Sequence, residues 1–488
     1  MKQGRELQAQ DRLAAERWID EGGRVGTLSV IERELAANAD RPGGAARPRG
    51  QTSSPAVEGS SAADAAASMR RSPQKPARPR VLIAGGGVAG LETLLALRAL
   101  AADRVDITIL APELKFVNRS MAVEQPFKTQ RVRGLRLEDT AAELGARWHR
   151  GALDRVEPDH HRVVTKDGDE LPYDSLVLAL GAHPEREWHS AEALTYRGGR
   201  DSPDYRLLLH QLREGRVNKL AFVKPAGASW PLPLYDLALM TAAECAANNG
   251  SAAELTLITP EKEPLGIFGK RASAAIRELL DESGVTLHTS SYGVPNPCGW
   301  LDISPGDRSI AVDRIVTEPH LVGPSLRGIP SGRDGFSHTD AHGRVLGLDD
   351  VFAAGDATTF PVKQGGLAAQ QADAVAEVIA ASAGADIDPQ PFRPILRGTL
   401  LTGGPARYLR ADISGVAGDD STVSEEALWW PPNKLCGRYL APYLSSQIGE
   451  AADVMPQGEH AIPVATALDP VAPDTPSNLG ELSDLPPR

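Results

Sequence analysis

VLIAGGGVAGLETLLALRAL, residues 81–100, decides the fold. Val81–Ala84 is a short, continuously apolar run, the signature of a strand buried on both faces. Gly85, Gly87 and Gly90 follow in the pattern G-x-G-x-x-G, and Leu91–Leu100 continues as an apolar helix. In that setting Gly85 permits a tight turn, Gly87 lets the backbone approach a pyrophosphate, and Gly90 lets helix and strand pack closely. The N–H groups of the first helical turn, at Val88 and Ala89, then face the phosphates together with the positive end of the helix dipole. An ordinary glycine-rich strand-to-helix turn is the plainer alternative, and the strand before and the helix after argue against it.

Outward from this turn the pattern repeats. Val105–Leu110 (VDITIL) alternates and is β-branched, so a strand, a helix and a strand succeed one another as in a parallel sheet. Leu171–Pro184 (LPYDSLVLALGAHP) gives a further buried strand with a turn at Gly181. A second block begins near Leu220 and again reads strand, helix, strand, and after Asp340 the first pattern returns. The expected fold is α/β, with two Rossmann-like dinucleotide-binding domains, the second inserted in the first, and a C-terminal segment. The expected boundaries are a disordered extension over 1–78, a first domain over 79–204 and 336–385, a second over 205–335, the C-terminal segment over 386–448 and a disordered tail over 449–488. The Pro-, Ser- and Ala-rich composition between about Pro42 and Arg80 carries too few large apolar side chains to offset chain entropy. A native start near Met69 would make the earlier residues an upstream extension.

The 488 residues carry a net charge of −12, which opposes nucleic-acid binding and general attraction to anionic lipid. Three cysteines, Cys245, Cys298 and Cys436, include no C-x-x-C pair, so neither a disulfide framework nor a metal knuckle is expected, and a cytoplasmic setting fits. The first residues lack the apolar core of a secretory signal, and no apolar run approaches the roughly 20 residues of a membrane span.

VFAAGDATTF, residues 351–360, is a second and more specific signature. A buried strand ends in Gly355-Asp356, an acid at an exposed strand end that can bond a ribityl hydroxyl while the next helix N-terminus faces the ring system; an acid that only caps the turn is the plainer alternative, against which the glycine turn upstream argues. Taken together, GGGVAG, LVLALGAHP and AAGD resemble the FAD/NAD(P)-dependent pyridine nucleotide oxidoreductases over about residues 79–400. The segment PVKQGGLAAQQADAVA resembles the branch that holds sulfide:quinone oxidoreductase, flavocytochrome c sulfide dehydrogenase and type II NADH dehydrogenase. The resemblance implies an FAD-dependent oxidoreductase with FAD extended between the first domain and the domain junction. It implies contacts from Gly85, Gly87, Val88, Ala89, Gly90, Gly181, Gly355, Asp356, Gly366 and Leu367. Glu113, just past the second strand, is the candidate for the ribose hydroxyls; a surface carboxylate is its commoner reading. Lys363 is a candidate to favour an anionic reduced flavin, with a solvated loop lysine as the alternative.

The chain departs from these families in three places. Its second strand is followed by Lys224-Pro225-Ala226-Gly227-Ala228-Ser229-Trp230-Pro231-Leu232-Pro233, with one glycine and three prolines. Prolines have no N–H to offer a pyrophosphate, which leaves NAD(P)H binding open and speaks against a conventional NADH dehydrogenase. Trp230 stands about where the sulfide branch has a reactive cysteine, and is a candidate for shielding the ring. The Ala-Gln pair expected near a quinone is replaced by Gly365-Gly366. The aromatic stretch Leu428–Leu444 (LWWPPNKLCGRYLAPYL) is expected to pack on the body or to form a homodimer contact, with peripheral membrane contact as the less favoured reading. The expected partners are a small-molecule electron donor and an acceptor such as a quinone. An NAD(P)H-dependent reductase with an atypical nucleotide site and a non-catalytic flavin-binding protein are the competing readings.

Overall fold

The computed structural model describes residues 78–448 apart from 129–133, 191, 228–229, 249–252, 297 and 414–420, together with 462–463. Residues 1–77 of the expected extension, and nearly all of the expected tail, lie outside the described residues. Five parallel strands form the first sheet, in the spatial order Val351–Ala353, Ser175–Leu178, Arg80–Ala84, Asp106–Ala111, Arg147–Arg150. The chain starts in the middle, moves outward to Arg147–Arg150, and returns to the other side through the antiparallel meander Leu153–Glu157, Arg162–Thr165 and Glu170–Pro172. The connection therefore reverses direction between Arg80–Ala84 and Ser175–Leu178, which opens a crevice at the C-terminal ends of those two strands.

The second sheet has the same plan. Its order is Ala193–Thr195, Arg314–Thr317, Lys219–Val223, Glu254–Ile258, Val285–His288, all parallel. A meander of Tyr292–Pro295, Trp300–Ser304 and Arg308–Ala311 precedes strand Arg314–Thr317, as the first domain's meander precedes Ser175–Leu178. The edge strand Ala193–Thr195 comes from ahead of residue 205, so the chain lays down the outer strand of the second sheet before entering that sheet's centre.

Helix Val88–Ala101 is buried nearly all round because it lies between the first sheet and helix Gly365–Ser382. Leu91, Leu94, Leu95 and Leu97 are all buried, each contributing about 1.5–3 kcal/mol. The facing helix answers with small residues, Ala368, Ala369, Ala372 and Ala376, that let the two axes approach.

The C-terminal segment spans both domains. Strands Ile395–Leu400, Arg407–Asp412 and Ser421–Ser424 form an antiparallel sheet whose Leu396, Leu400, Leu409 and Ala411 join the core of the second domain. Leu435, Tyr439, Leu440 and Tyr443 join the core of the first. The aromatic stretch is packed on the body: Trp429 is 1% exposed, Tyr439 6% and Tyr443 7%. No helix among the described residues is long and apolar enough to cross a membrane.

Two buried carboxylates hold this segment, and they occupy the same place in the two domains. Glu92 is the fifth residue of helix Val88–Ala101, and Asp236 the fifth of helix Leu232–Ala247. Glu92 accepts from the backbone N–H of Tyr439 (2.7 Å) and Leu440 (2.8 Å), at the start of helix Leu440–Ile448. Asp236 accepts from Leu401 N–H (2.8 Å) and from the buried ammonium of Lys434, which also donates to Thr399 O. Asp373, on helix Gly365–Ser382, faces Glu92 in the same buried space. Burial and the Glu92 charge push the Asp373 carboxyl well up, so Asp373 keeps its proton and donates it to Glu92.

Asp236→Ala strands the Lys434 charge and should cost about 3–5 kcal/mol in urea denaturation. The double change Asp236→Leu with Lys434→Met removes both charges and should recover most of that loss. The Asp373 carboxyl binds its proton more tightly folded than unfolded. Its contribution is therefore complete at pH below the ordinary carboxylate range and is lost as pH rises through the raised folded value. Asp373→Asn donates permanently, so the decline of unfolding free energy with rising pH should be shallower in that variant than in wild type.

Candidate functional site

The crevice at the reversal point is built around Gly85, Gly87 and Gly90, and each glycine has a different reason to be there. Gly85 has φ +123°, and a Cβ on it would lie 2.1 Å from Ala179 O. Its N–H donates to Leu110 O at 2.9 Å. A Cβ on Gly90 would lie 2.0 Å from Gly85 O, so helix and turn touch backbone to backbone. Gly87 differs: a Cβ there would meet nothing within 4 Å. Gly87 is also the N-cap of helix Val88–Ala101 and offers no side chain to the first-turn amides. The turn thus presents a smooth backbone, a helix N-terminus and empty space, which suits the pyrophosphate of a dinucleotide.

Across the crevice stand the ends of the two neighbouring strands. Gly181, φ +70°, also faces open space. Gly355, φ +77°, is wedged between Ala89 and Ala368, with would-be Cβ distances of 3.3 and 3.2 Å. Its N–H donates to Gln371 Oε1 at 2.7 Å, which ties the strand end to helix Gly365–Ser382. Asp356 follows, partly exposed, and its carboxylate takes no hydrogen bond among the described residues. Burial pushes its pKa up, while Lys363 and Arg119 pull it down. An acid with unused acceptor oxygens at this strand end can bind the hydroxyls of a ribityl chain.

Lys363 is 6% exposed, not solvated. Its ammonium donates to Thr358 O and lies 3.9 Å from the centre of the Phe336 ring. Burial makes this cation–π contact stronger than one in water. Gly366 and Leu367 are differently placed from the rest. The Leu367 N–H is taken by the cap Gln364 (Oε1, 2.8 Å), and a Cβ on Gly366 would lie 3.2 Å from Cys436 O. The helix N-terminus is therefore met by its own cap and by the C-terminal segment. Glu113 is exposed on the loop after the second strand.

The second domain's turn is built to another plan. Pro225 is buried, and Gly227, φ +103°, has His320 as its nearest neighbour. Helix Leu232–Ala247 begins after Pro231, which accepts from Leu234 N–H, and Pro233 has no N–H. Trp230 packs edge-on against Phe268, with centroids 5.7 Å apart, and belongs to the edge of that domain's core. Glu261, past the second strand, accepts from Tyr235 Oη (2.7 Å) and Thr259 Oγ1 (2.9 Å). Burial pushes its pKa up and Lys224 opposes the shift.

None of the three cysteines is in a disulfide, and they sit in separate surroundings: Cys245 in the core of the second domain, Cys298 exposed on a meander turn, Cys436 buried beside Leu428 and Trp429. Burial pushes the Cys436 thiol up to about 12, which keeps it protonated and a poor nucleophile at neutral pH. Sequence reading missed the role of Gln364, which caps helix Gly365–Ser382 and donates to Arg397 O, and took Gln371, which braces the strand end at Gly355, for an ordinary polar helix residue. It also passed over Glu92, although an acid inside an apolar run was a visible signal.

Gly90→Val should abolish folding, since its side chain would overlap backbone. Gly87→Val should leave the ligand-free protein within about 0.5 kcal/mol of wild type by urea denaturation, because the site has room and an ordinary φ of −86°.

Residues 49–228 match the model of the pyridine nucleotide-disulphide oxidoreductase family. An NADH dehydrogenase-like protein of Mycobacterium tuberculosis is 27% identical over 298 residues, covering 57% of this chain and 72% of the relative. The demethylphylloquinone reductase of Synechocystis is 24% identical over 307 residues, with the same coverage of 57% and 72%. The sulfide:quinone oxidoreductase of Aquifex aeolicus superposes with a TM-score of 0.65 at 17% identity, over 76% of this chain and 90% of that one. With its two parallel sheets and glycine-lined crevice, the chain is similar over residues 49–228 to the pyridine nucleotide-disulphide oxidoreductases.

Proposed function

We propose that this protein is an FAD-dependent oxidoreductase that takes two electrons from a donor other than NAD(P)H and delivers them to a small acceptor of the quinone type. The observation that carries the FAD assignment is the contrast among the three glycines. Gly85 and Gly90 are closed by backbone, while Gly87 opens onto empty space beside a helix N-terminus. A pyrophosphate fits there and a Cβ would intrude on it. Bound in this crevice, FAD supplies two-electron chemistry. Val88 and Ala89 contribute first-turn amides, Asp356 binds ribityl hydroxyls, and Lys363 places a buried cation beside that carboxylate. Glu113, on the exposed loop past the second strand, is the residue assigned to the adenosine ribose in this reading.

The second domain supports a donor of another kind. Its turn has one described glycine, its helix start is proline-capped, and Glu261 is already satisfied by Tyr235 and Thr259. A quinone-type acceptor is supported by the names of the Synechocystis and Aquifex proteins. The name of the mycobacterial relative supports the second reading, an NAD(P)H-dependent reductase with an atypical nucleotide site.

Wild-type protein should purify yellow, and Gly87→Val should purify folded and colourless. In anaerobic stopped-flow mixing, NADH and NADPH should bleach the flavin slowly and without saturation, and dithionite-reduced protein should be reoxidised by a soluble quinone. Rapid, saturable bleaching at micromolar NADH establishes the second reading instead.

A further inference from the structure

The C-terminal sheet holds two arginines that its own fold does not explain. Arg397 and Arg410 are directly opposite one another in the antiparallel pair Ile395–Leu400 and Arg407–Asp412. Directly opposed residues point to the same face of a sheet, and like charges there repel. The other face, carrying Leu396, Leu400, Leu409 and Ala411, is packed into the second domain. The arginine face also carries Ile395, Thr399, Tyr408 and Asp412, by the same alternation, and Leu428, Trp429 and Cys436 lie against it at Tyr408.

Arg397 is 9% exposed. No carboxylate pairs with Arg397 or Arg410 among the described residues. Three buried donors on this face have no hydrogen-bond partner: Arg397 Nε, Arg410 Nε and Thr399 Oγ1. A guanidinium does not shed its proton in a protein, so it cannot escape burial by becoming neutral. Removing such a charge from water without a partner costs several kcal/mol. Lys434 donates to the backbone oxygen of Thr399, its own charge being met by Asp236.

We propose that Arg397 and Arg410, with Thr399, form a binding site for a small anion bearing several oxygen acceptors, of the oxoanion or dicarboxylate class. Each guanidinium presents parallel N–H groups that match a planar or tetrahedral oxyanion two bonds at a time. The threonine hydroxyl supplies a further donor. The site is coupled to the crevice already described: Arg397 O accepts from Gln364 Nε2 at 2.9 Å, and Gln364 caps helix Gly365–Ser382. The Cys436 carbonyl lies over Gly366 at the same helix start. An anion between the arginines would therefore sit one side chain from the helix end that meets the crevice. The assignment concerns binding and does not depend on the donor or acceptor proposed above.

Calorimetric titration of the full-length flavin-loaded protein with sulfate, phosphate or malonate, in chloride buffer of matched ionic strength, tests it. Saturable binding of at least one of the three is expected, and the pattern separates an oxoanion from a dicarboxylate. Arg397→Met should abolish that binding and Arg410→Gln should weaken it at least tenfold. In chloride alone, Arg397→Met should melt no lower than wild type, because it removes an uncompensated buried charge. No saturable binding to wild type overturns the proposal. So does equal binding by wild type and Arg410→Gln, or a markedly lower melting point of Arg397→Met in chloride, which would make the guanidinium a structural group.

Discussion

A carboxylate buried at the fifth position of helix Val88–Ala101, and another at the fifth position of helix Leu232–Ala247, tie the C-terminal segment to both domains. Glu92 and Asp236 each sit one turn inside a helix packed against its sheet, and each reaches the C-terminal segment. Neither is solvated, so each must be satisfied from within. Glu92 finds the amides that open the last helix and a proton from Asp373. Asp236 finds a backbone amide and a lysine. A segment whose sequence follows both domains is thereby pinned to both.

The crevice lies at the strand ends of the first sheet. Its floor is first-domain backbone, where Gly85, Gly90 and Gly355 bring strand ends and helix starts into contact that no side chain would permit. Its open positions, Gly87, Gly181 and Asp356, lie where the parallel strands reverse their connection. The second domain repeats the strand order and the meander, yet its turn is filled by proline and by an indole packed on Phe268. One architecture thus supports two different turns. The sheet is held by apolar burial on both faces, whereas phosphate binding depends on a few backbone amides that proline removes.

The first domain was legible because its signals are local. An apolar run of four residues, three spaced glycines and an apolar helix are consecutive in the chain, and the AAGD strand end is equally compact. The roles of Gly366 and Leu367 were less legible. Whether a helix N-terminus is free depends on what packs over it, and here Gln364 and Cys436 do, the second from seventy residues downstream. Lys363 had two readings, and the place of Trp230 was open, for the same reason: burial of one ammonium or one aromatic ring is decided by Phe336 and Phe268, neither of them a sequence neighbour.

The sequence by itself determined the parallel α/β class, the phosphate-type turn at Gly85–Gly90, the acid at Asp356 and the loss of the matching turn after Val223. Each follows from residue types at short fixed spacings, where backbone sterics and periodicity act within a few residues. Only the tertiary structure decided that the aromatic stretch after Leu428 is buried, that Glu92 and Asp236 are anchors, and that Arg397 faces Arg410 with no acid between them. Those facts arise from contacts between residues up to 348 apart in sequence. Burial and charge pairing belong to such contacts, and no local pattern specifies them.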